Sequence, residues 1–144
     1  MRTIGIDPDF KKSGVCGINE KGEILYLQSL CIVELIDLIQ SNPGANFAIE
    51  DILKNKATYS RGRHSASVNM NIAQKVGMVK GAASVIIEII EHYTGKPPML
   101  VPAGVGKQLK TDAKLFKKIT GYEGQTNEDK RDAYCIALWA QNQL

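Results

Sequence analysis

The sequence predicts an α/β domain, one unit over residues 1–144, built on a mixed sheet. Three observations lead there. Thr3-Ile4-Gly5-Ile6-Asp7 is a short apolar run rich in β-branched residues, the pattern of a strand buried on both faces. Two more β-type runs follow at hairpin spacing, Val15 to Asn19 and Glu23 to Leu30, which makes an antiparallel meander. A helix-period segment, Ile32 to Gln40, then leads into another apolar run, Asn46 to Asp51. A helical crossover of this kind returns the chain parallel to, and beside, the first strand.

Each element has a local cause. Pro8 cannot donate to a ladder, so the first strand stops at Asp7. The stretch from Asp9 to Gly14 is a hairpin connection, and Glu20-Lys21-Gly22 is a tight turn. Apolar residues at 32, 35, 36 and 39 have helical spacing, and Ser41-Asn42-Pro43-Gly44 stops that helix. Residues 52–65 are polar and basic and read as a loop. A long helix follows, from about Ser67 to His92, with Val68, Ile72, Val76, Val79, Ala83, Ile86 and Ile90 in one stripe. Ala73, Gly77 and Gly81 add a strip of small residues, suited to close packing against a sheet or a partner helix. The apolar arc is wider than one face requires, which fits either a second buried surface, such as a dimer contact, or a deep internal helix. Thr94-Gly95-Lys96-Pro97-Pro98 ends it, and Met99 to Val101 forms a fifth strand. Val105 to Leu109 reads as a helical turn carrying Lys107. Thr111 is expected to cap a helix that ends at Gly121, with Lys114, Lys117 and Lys118 outward and Leu115 and Ile119 inward. Thr126 is expected to cap the last helix, Asn127 to about Gln141.

Composition narrows the class. A chain of 144 residues can bury a core of its own. No run of apolar residues is long enough to span a membrane, and the N-terminus lacks a signal-peptide pattern, so the expected location is the cytoplasm. Cys16, Cys31 and Cys135 are odd in number and lack metal-type spacing, as free thiols in a reducing compartment would be. Charge is unevenly spread. Residues 1–52 carry four Lys or Arg against eight acids, a net of −4, and residues 53–118 carry twelve against three, a net of +9. That asymmetry suggests a polyanion partner such as nucleic acid; the bland alternative is a solvated lysine-rich surface.

Four carboxylates stand out. Asp7 and Glu50 each end an apolar strand, and on adjacent parallel strands they would be neighbours. Asp129 and Asp132 are three apart and so share a helix face, which continues through Ala133, Ile136, Ala137 and Ala140. Asp7 could instead simply start a turn, and Asp129 could serve as part of a capping box. Asp132, a full turn in and leading a buried stripe, has no such alternative. Four converging acids would repel and take up protons, and hard divalent cations relieve this. Mg2+ is the usual choice where phosphates supply further ligands, and a pair about 4 Å apart can activate water and stabilise a phosphodiester's leaving oxygen.

With these residues in place the chain resembles the RuvC family of Holliday junction resolvases, within the ribonuclease H-like superfamily. Ile4-Gly5-Ile6-Asp7-Pro8 with Ser13-Gly14 is similar to the family's first strand and hairpin, and Ala48-Ile49-Glu50 to its second acidic strand. Residues Val76 to Ala83 resemble its long-helix signature, Val101-Pro102-Ala103 through Lys107 its fifth strand and basic turn, and Asp129-Lys130-Arg131-Asp132-Ala133 its closing acidic helix. Asp9 stands where the family usually has glycine, and the segment from Glu50 to Gly77 is longer than in typical bacterial members. The resemblance implies a five-stranded mixed sheet in the order 3-2-1-4-5. It implies metal-dependent cleavage of four-way DNA by a homodimer, with Asp7, Glu50, Asp129 and Asp132 as metal ligands. The metal would be Mg2+, as two ions, with Mn2+ as a substitute. Lys107 matches a basic residue near the scissile phosphate. Charge and position, apart from the resemblance, mark Lys54, Lys56, Tyr59, Arg61 and Arg63 in the loop and Lys107, Lys110, Lys114 and Lys117 beyond it as the expected DNA contacts. Tyr59 would either stack on an unpaired base or pack the loop down. Competing readings are a less specific structure-selective nuclease, a non-catalytic branched-DNA-binding module, and a phosphotransferase of the actin and sugar-kinase type. The last needs two such domains where this chain holds one.

Overall fold

The computed structural model describes residues 1–53 and 65–144. Its strands are β1 (Thr3–Asp7), β2 (Ser13–Ile18), β3 (Ile24–Leu30), β4 (Asn46–Glu50) and β5 (Met99–Val101). They form one sheet in the order β3-β2-β1-β4-β5. β2 is antiparallel to β1 and β3, while β4 is parallel to β1 and β5 is parallel to β4. This is the mixed order that the resemblance implies. The helices are α1 (Ile32–Ser41), α2 (Ala66–Thr94), α3 (Lys107–Thr111), α4 (Ala113–Thr120) and α5 (Glu128–Gln143). Among the described residues no helix is long and apolar enough to cross a membrane.

Side-chain alternation along the strands sorts the two layers around the sheet. Ile4, Ile6, Val15, Phe47 and Ile49 point to one face and pack with Leu35 and Ile39 of α1 and Ala83, Ile86 and Ile90 of α2. Cys16, Ile18 and Leu27 point to the other face and meet Ala133, Tyr134 and Ala137 of α5. Ala48 and Val101 do the same with Ile136 and Ala140. By the same two-residue period, Gly5 and Asp7 on β1, and Ala48 and Glu50 on β4, face α5. Gly5 pairs with Ala48 across the strands. The small residues let α5 lie directly on the sheet. A Cβ on Gly5 would sit 2.2 Å from the carbonyl oxygen of Ala133 and 2.5 Å from the amide nitrogen of Ala137, so no side chain fits there.

Three local expectations are corrected. α4 is capped by Asp112, whose Oδ1 accepts from the Leu115 N–H at 3.0 Å, while Thr111 ends α3. α5 is capped by Asn127, which accepts from the Lys130 N–H at 2.8 Å, and not by Thr126. In both cases a carboxylate or amide oxygen one residue later is the stronger cap. Ile119 points outward, 58% exposed, and Phe116 is the residue that buries α4. Its ring meets Tyr134 of α5 edge-on at 5.4 Å, so docking against an aromatic sets the helix's rotation. Of the small strip on α2, Gly77 and Gly81 face open space, with nothing within 4 Å of where a Cβ would be. Val68, Met70, Met78 and Val85 of the same helix are also exposed.

Candidate metal centre

β1 and β4 run in parallel with Ile6 opposite Ile49, so each strand delivers its next residue, an acid, to the same edge of the sheet. α5 crosses that edge and adds Asp132. One carboxylate oxygen from each of Asp7, Glu50 and Asp132 lies within 4.8 Å of the others. Asp7 and Asp132 are buried and Glu50 is half-buried. Asp129 is half-buried at the rim and hydrogen-bonds with Asp7, beside the group of three rather than in it. Because Asn127 caps α5, Asp129 is left without a capping task.

The acids strain one another. Burial, and next the charge of Asp132, push the Asp7 carboxyl up to about 8. Burial and Asp132 also raise Glu50, partly offset by Lys110 and by a hydrogen bond from the Gly104 backbone. Burial and then Asp9 raise Asp129. Among the described residues, the cation that faces them is Lys110. Its Nζ lies 3.1 Å from Asp132 Oδ2, with the lysine side chain 33% exposed. Burial, the largest single influence, pulls the ammonium's pKa down, but Asp132, Asp7 and Glu50 together outweigh it and the net displacement is upward.

Three clustered carboxylates, only partly neutralised by the one ammonium that the described residues bring to them, suit a hard divalent cation with oxygen ligands. Asp7, Glu50 and Asp132 are the residues that can hold it. When bound, such an ion polarises a phosphoryl oxygen and lowers the pKa of a coordinated water. The chain's own contribution is to fix three oxygens on two strands and a helix, at one edge and largely out of water.

The other expected site residues fall in different places. Lys107 opens α3, is exposed, and makes no ion pair among the described residues. Lys114 and Lys117 lie on the outer face of α4, and Lys117 pairs with Glu123 at 3.2 Å. Lys54, Lys56, Tyr59, Arg61 and Arg63 lie outside the described residues. Lys110, expected only as a DNA contact, is the partner of Asp132. Arg131 carried no sequence signal beyond its place in the acidic motif, yet it is buried and braces the lysine-bearing turn. Its Nε donates to the Lys110 carbonyl and its Nη1 to Thr126 Oγ1, each at 2.8 Å.

The sheet order, the crossover and the two acidic strands closed by an acidic helix define a ribonuclease H-like fold of the RuvC type. Two solved structures that superpose on it are both of RuvC from Thermus thermophilus. One is in complex with a Holliday junction substrate; it has a TM-score of 0.60 and 18% identity, with 96% of this chain and 91% of that chain covered. The other has a TM-score of 0.57 and 18% identity, covering 96% and 92%. No protein-family model matches the sequence, and no curated protein does.

Proposed function

We propose that this chain is a divalent-metal-dependent endonuclease that cuts phosphodiester bonds in branched DNA, four-way junctions foremost, and that residues 1–144 act as one nuclease domain. The observation that carries this reading is the set of Asp7, Glu50 and Asp132 oxygens within 4.8 Å at one sheet edge. Support comes from the fold shared with a RuvC held on a Holliday junction substrate. The metal is Mg2+, as two ions with Asp129 serving the second, and Mn2+ substitutes. Lys107, Lys110, Lys114 and Lys117 bind backbone phosphates, which positions DNA without reading its sequence. Lys54, Lys56, Tyr59, Arg61 and Arg63 extend that surface in the segment after Glu50.

The protein works as a homodimer in the cytoplasm. Paired cuts across a junction need two sites related by a two-fold axis. The exposed apolar and glycine-bearing face of α2 is the surface a second copy would cover. Light scattering at tens of micromolar is expected to give twice the chain mass, and a persistent monomer would rule out paired cutting. The activity itself is tested by incubating the protein with four-way, flap and continuous duplex DNA, with and without Mg2+. Cleavage of the four-way substrate that needs Mg2+ is expected. Tight binding without cleavage under any divalent metal would make the protein a DNA-binding module, and equal cleavage of all three substrates would make it an unselective nuclease.

A further inference from the structure

Lys110 sits where a metal would be useful. Its ammonium is 3.1 Å from Asp132 Oδ2 and within electrostatic reach of Asp7 and Glu50, the same three residues that can hold an ion. Its position is not left to a flexible surface stem. α3 is five residues long and is pressed onto α5 at both ends. At the start, Gly106 has φ +65°, and a Cβ there would lie 2.3 Å from Cys135 Sγ, so the backbone itself forms the contact. Near the other end, buried Arg131 grips the Lys110 carbonyl and ties it to Thr126. A buried guanidinium spent on a backbone carbonyl makes sense if the residue it holds must be placed accurately.

We propose that the Lys110 ammonium is the resident cation of the carboxylate cluster, that a divalent ion enters by displacing it, and that Arg131 is the positioning residue that sets its place. This rests on the reading of the cluster as a metal centre. Among the described residues one positive charge faces three carboxylates, which leaves the cluster net negative, so a divalent ion with oxygen ligands satisfies it better. The ammonium is tethered by four methylenes and the side chain is one-third exposed, so it can leave into water without unfolding α3. Its absence from the cluster is then the condition for metal binding, and the lysine tunes metal affinity downward.

The experiment is a Mn2+ titration of the full chain without DNA, read by calorimetry and by the melting temperature. The second readout reports affinity even where a metal-free variant is partly unfolded. Lys110→Met keeps the apolar stem and removes the charge. It should melt lower than wild type in chelator and bind Mn2+ about tenfold tighter. Arg131→Met should move metal affinity the same way by a smaller factor. The double variant should bind no tighter than Lys110→Met alone, because Arg131 acts through the lysine. An Arg131 that merely stabilised the fold would leave metal affinity where it was. Unchanged or weaker Mn2+ binding by Lys110→Met, with wild type still binding, overturns the displacement and leaves the metal centre standing. Failure of both wild type and Lys110→Met to bind Mn2+ removes the metal centre and this inference with it.

Discussion

Asp132→Asn should abolish Mg2+-dependent cleavage of four-way DNA while leaving binding to the same DNA intact or tighter. The side chain is almost fully buried, and the amide matches the carboxylate in shape, so the fold should tolerate the change. What is lost is one negative ligand from a set of three. A metal contributes several kcal/mol by stabilising charge in a phosphoryl transition state. At 1.36 kcal/mol per factor of ten, weakening its hold should cost about 10³-fold or more in rate. Binding should not suffer, since removing a negative charge beside the lysines of α3 and α4 reduces repulsion of phosphate. Asp7→Asn should behave alike. Cleavage by Asp132→Asn within tenfold of the wild-type rate, measured under saturating Mg2+, would take this residue out of the reaction.

The metal-free protein should lose stability as pH rises from 5 to 8, and Asp7 should account for most of the loss. Its carboxyl titrates at an ordinary 3.8 in the unfolded chain and at about 8 in the folded one, chiefly through burial. Between those values the native state holds a proton that the unfolded state has released. The group's full contribution is therefore present below the unfolded pKa and is lost as pH rises through about 8. Glu50 and Asp129 are displaced in the same direction and add to the trend. At 1.36 kcal/mol per pKa unit the effect is on the order of several kcal/mol. For a chain of this length it should appear as a fall of roughly 8–16 °C in melting temperature across that range, in chelator. Asp7→Asn should flatten the slope, and so should millimolar Mg2+, which binds only the native, ionised site. Equal slopes for wild type and Asp7→Asn would place the strain elsewhere.

Much of the centre can be read from residue order. Asp7 follows Gly5 by two and Glu50 follows Ala48 by two, so each acid shares a strand face with a small residue. Ala133, Ile136, Ala137 and Ala140 follow Asp132 at helical spacing, so that acid leads the stripe that must be buried. Small residues on two parallel strands and an alanine-rich helix face are complementary surfaces, and three of the four acids ride on them to a common edge. Asp129 rides on the same helix but one turn closer to its N-terminus, where its backbone lies against Gly14 of β2, the residue paired with Asp7; that turn offset puts it beside Asp7 at the rim.

The caps show where local signals compete. Thr111 and Thr126 were reasonable caps, but the next residues, Asp112 and Asn127, have stronger acceptors, and a shift of one residue changed what each threonine does. Thr126 instead receives Arg131, a contact across five residues that no capping pattern contains. The outward turn of Ile119 has a similar origin. α4 carries apolar residues on more than one side, and the ring of Tyr134 selects Phe116.

By itself the sequence determined the strands and helices, the meander and crossover that set Asp7 beside Glu50, and the buried face of the last helix that carries Asp132, because strand and helix periods act over a few residues and need no partner to be legible; the full strand order was legible only through the family resemblance. Only the tertiary structure decided which cation meets those acids. Lys107, Lys110, Lys114 and Lys117 are alike in composition and spacing, and none is marked by periodicity. Lys110 is distinguished by the docking of α3 on α5, through Gly106 against Cys135 and Arg131 on a carbonyl, and these contacts join residues 21 to 29 positions apart. Long side chains on short helices take their partners from such packing, since their own torsions leave several directions open at nearly equal energy.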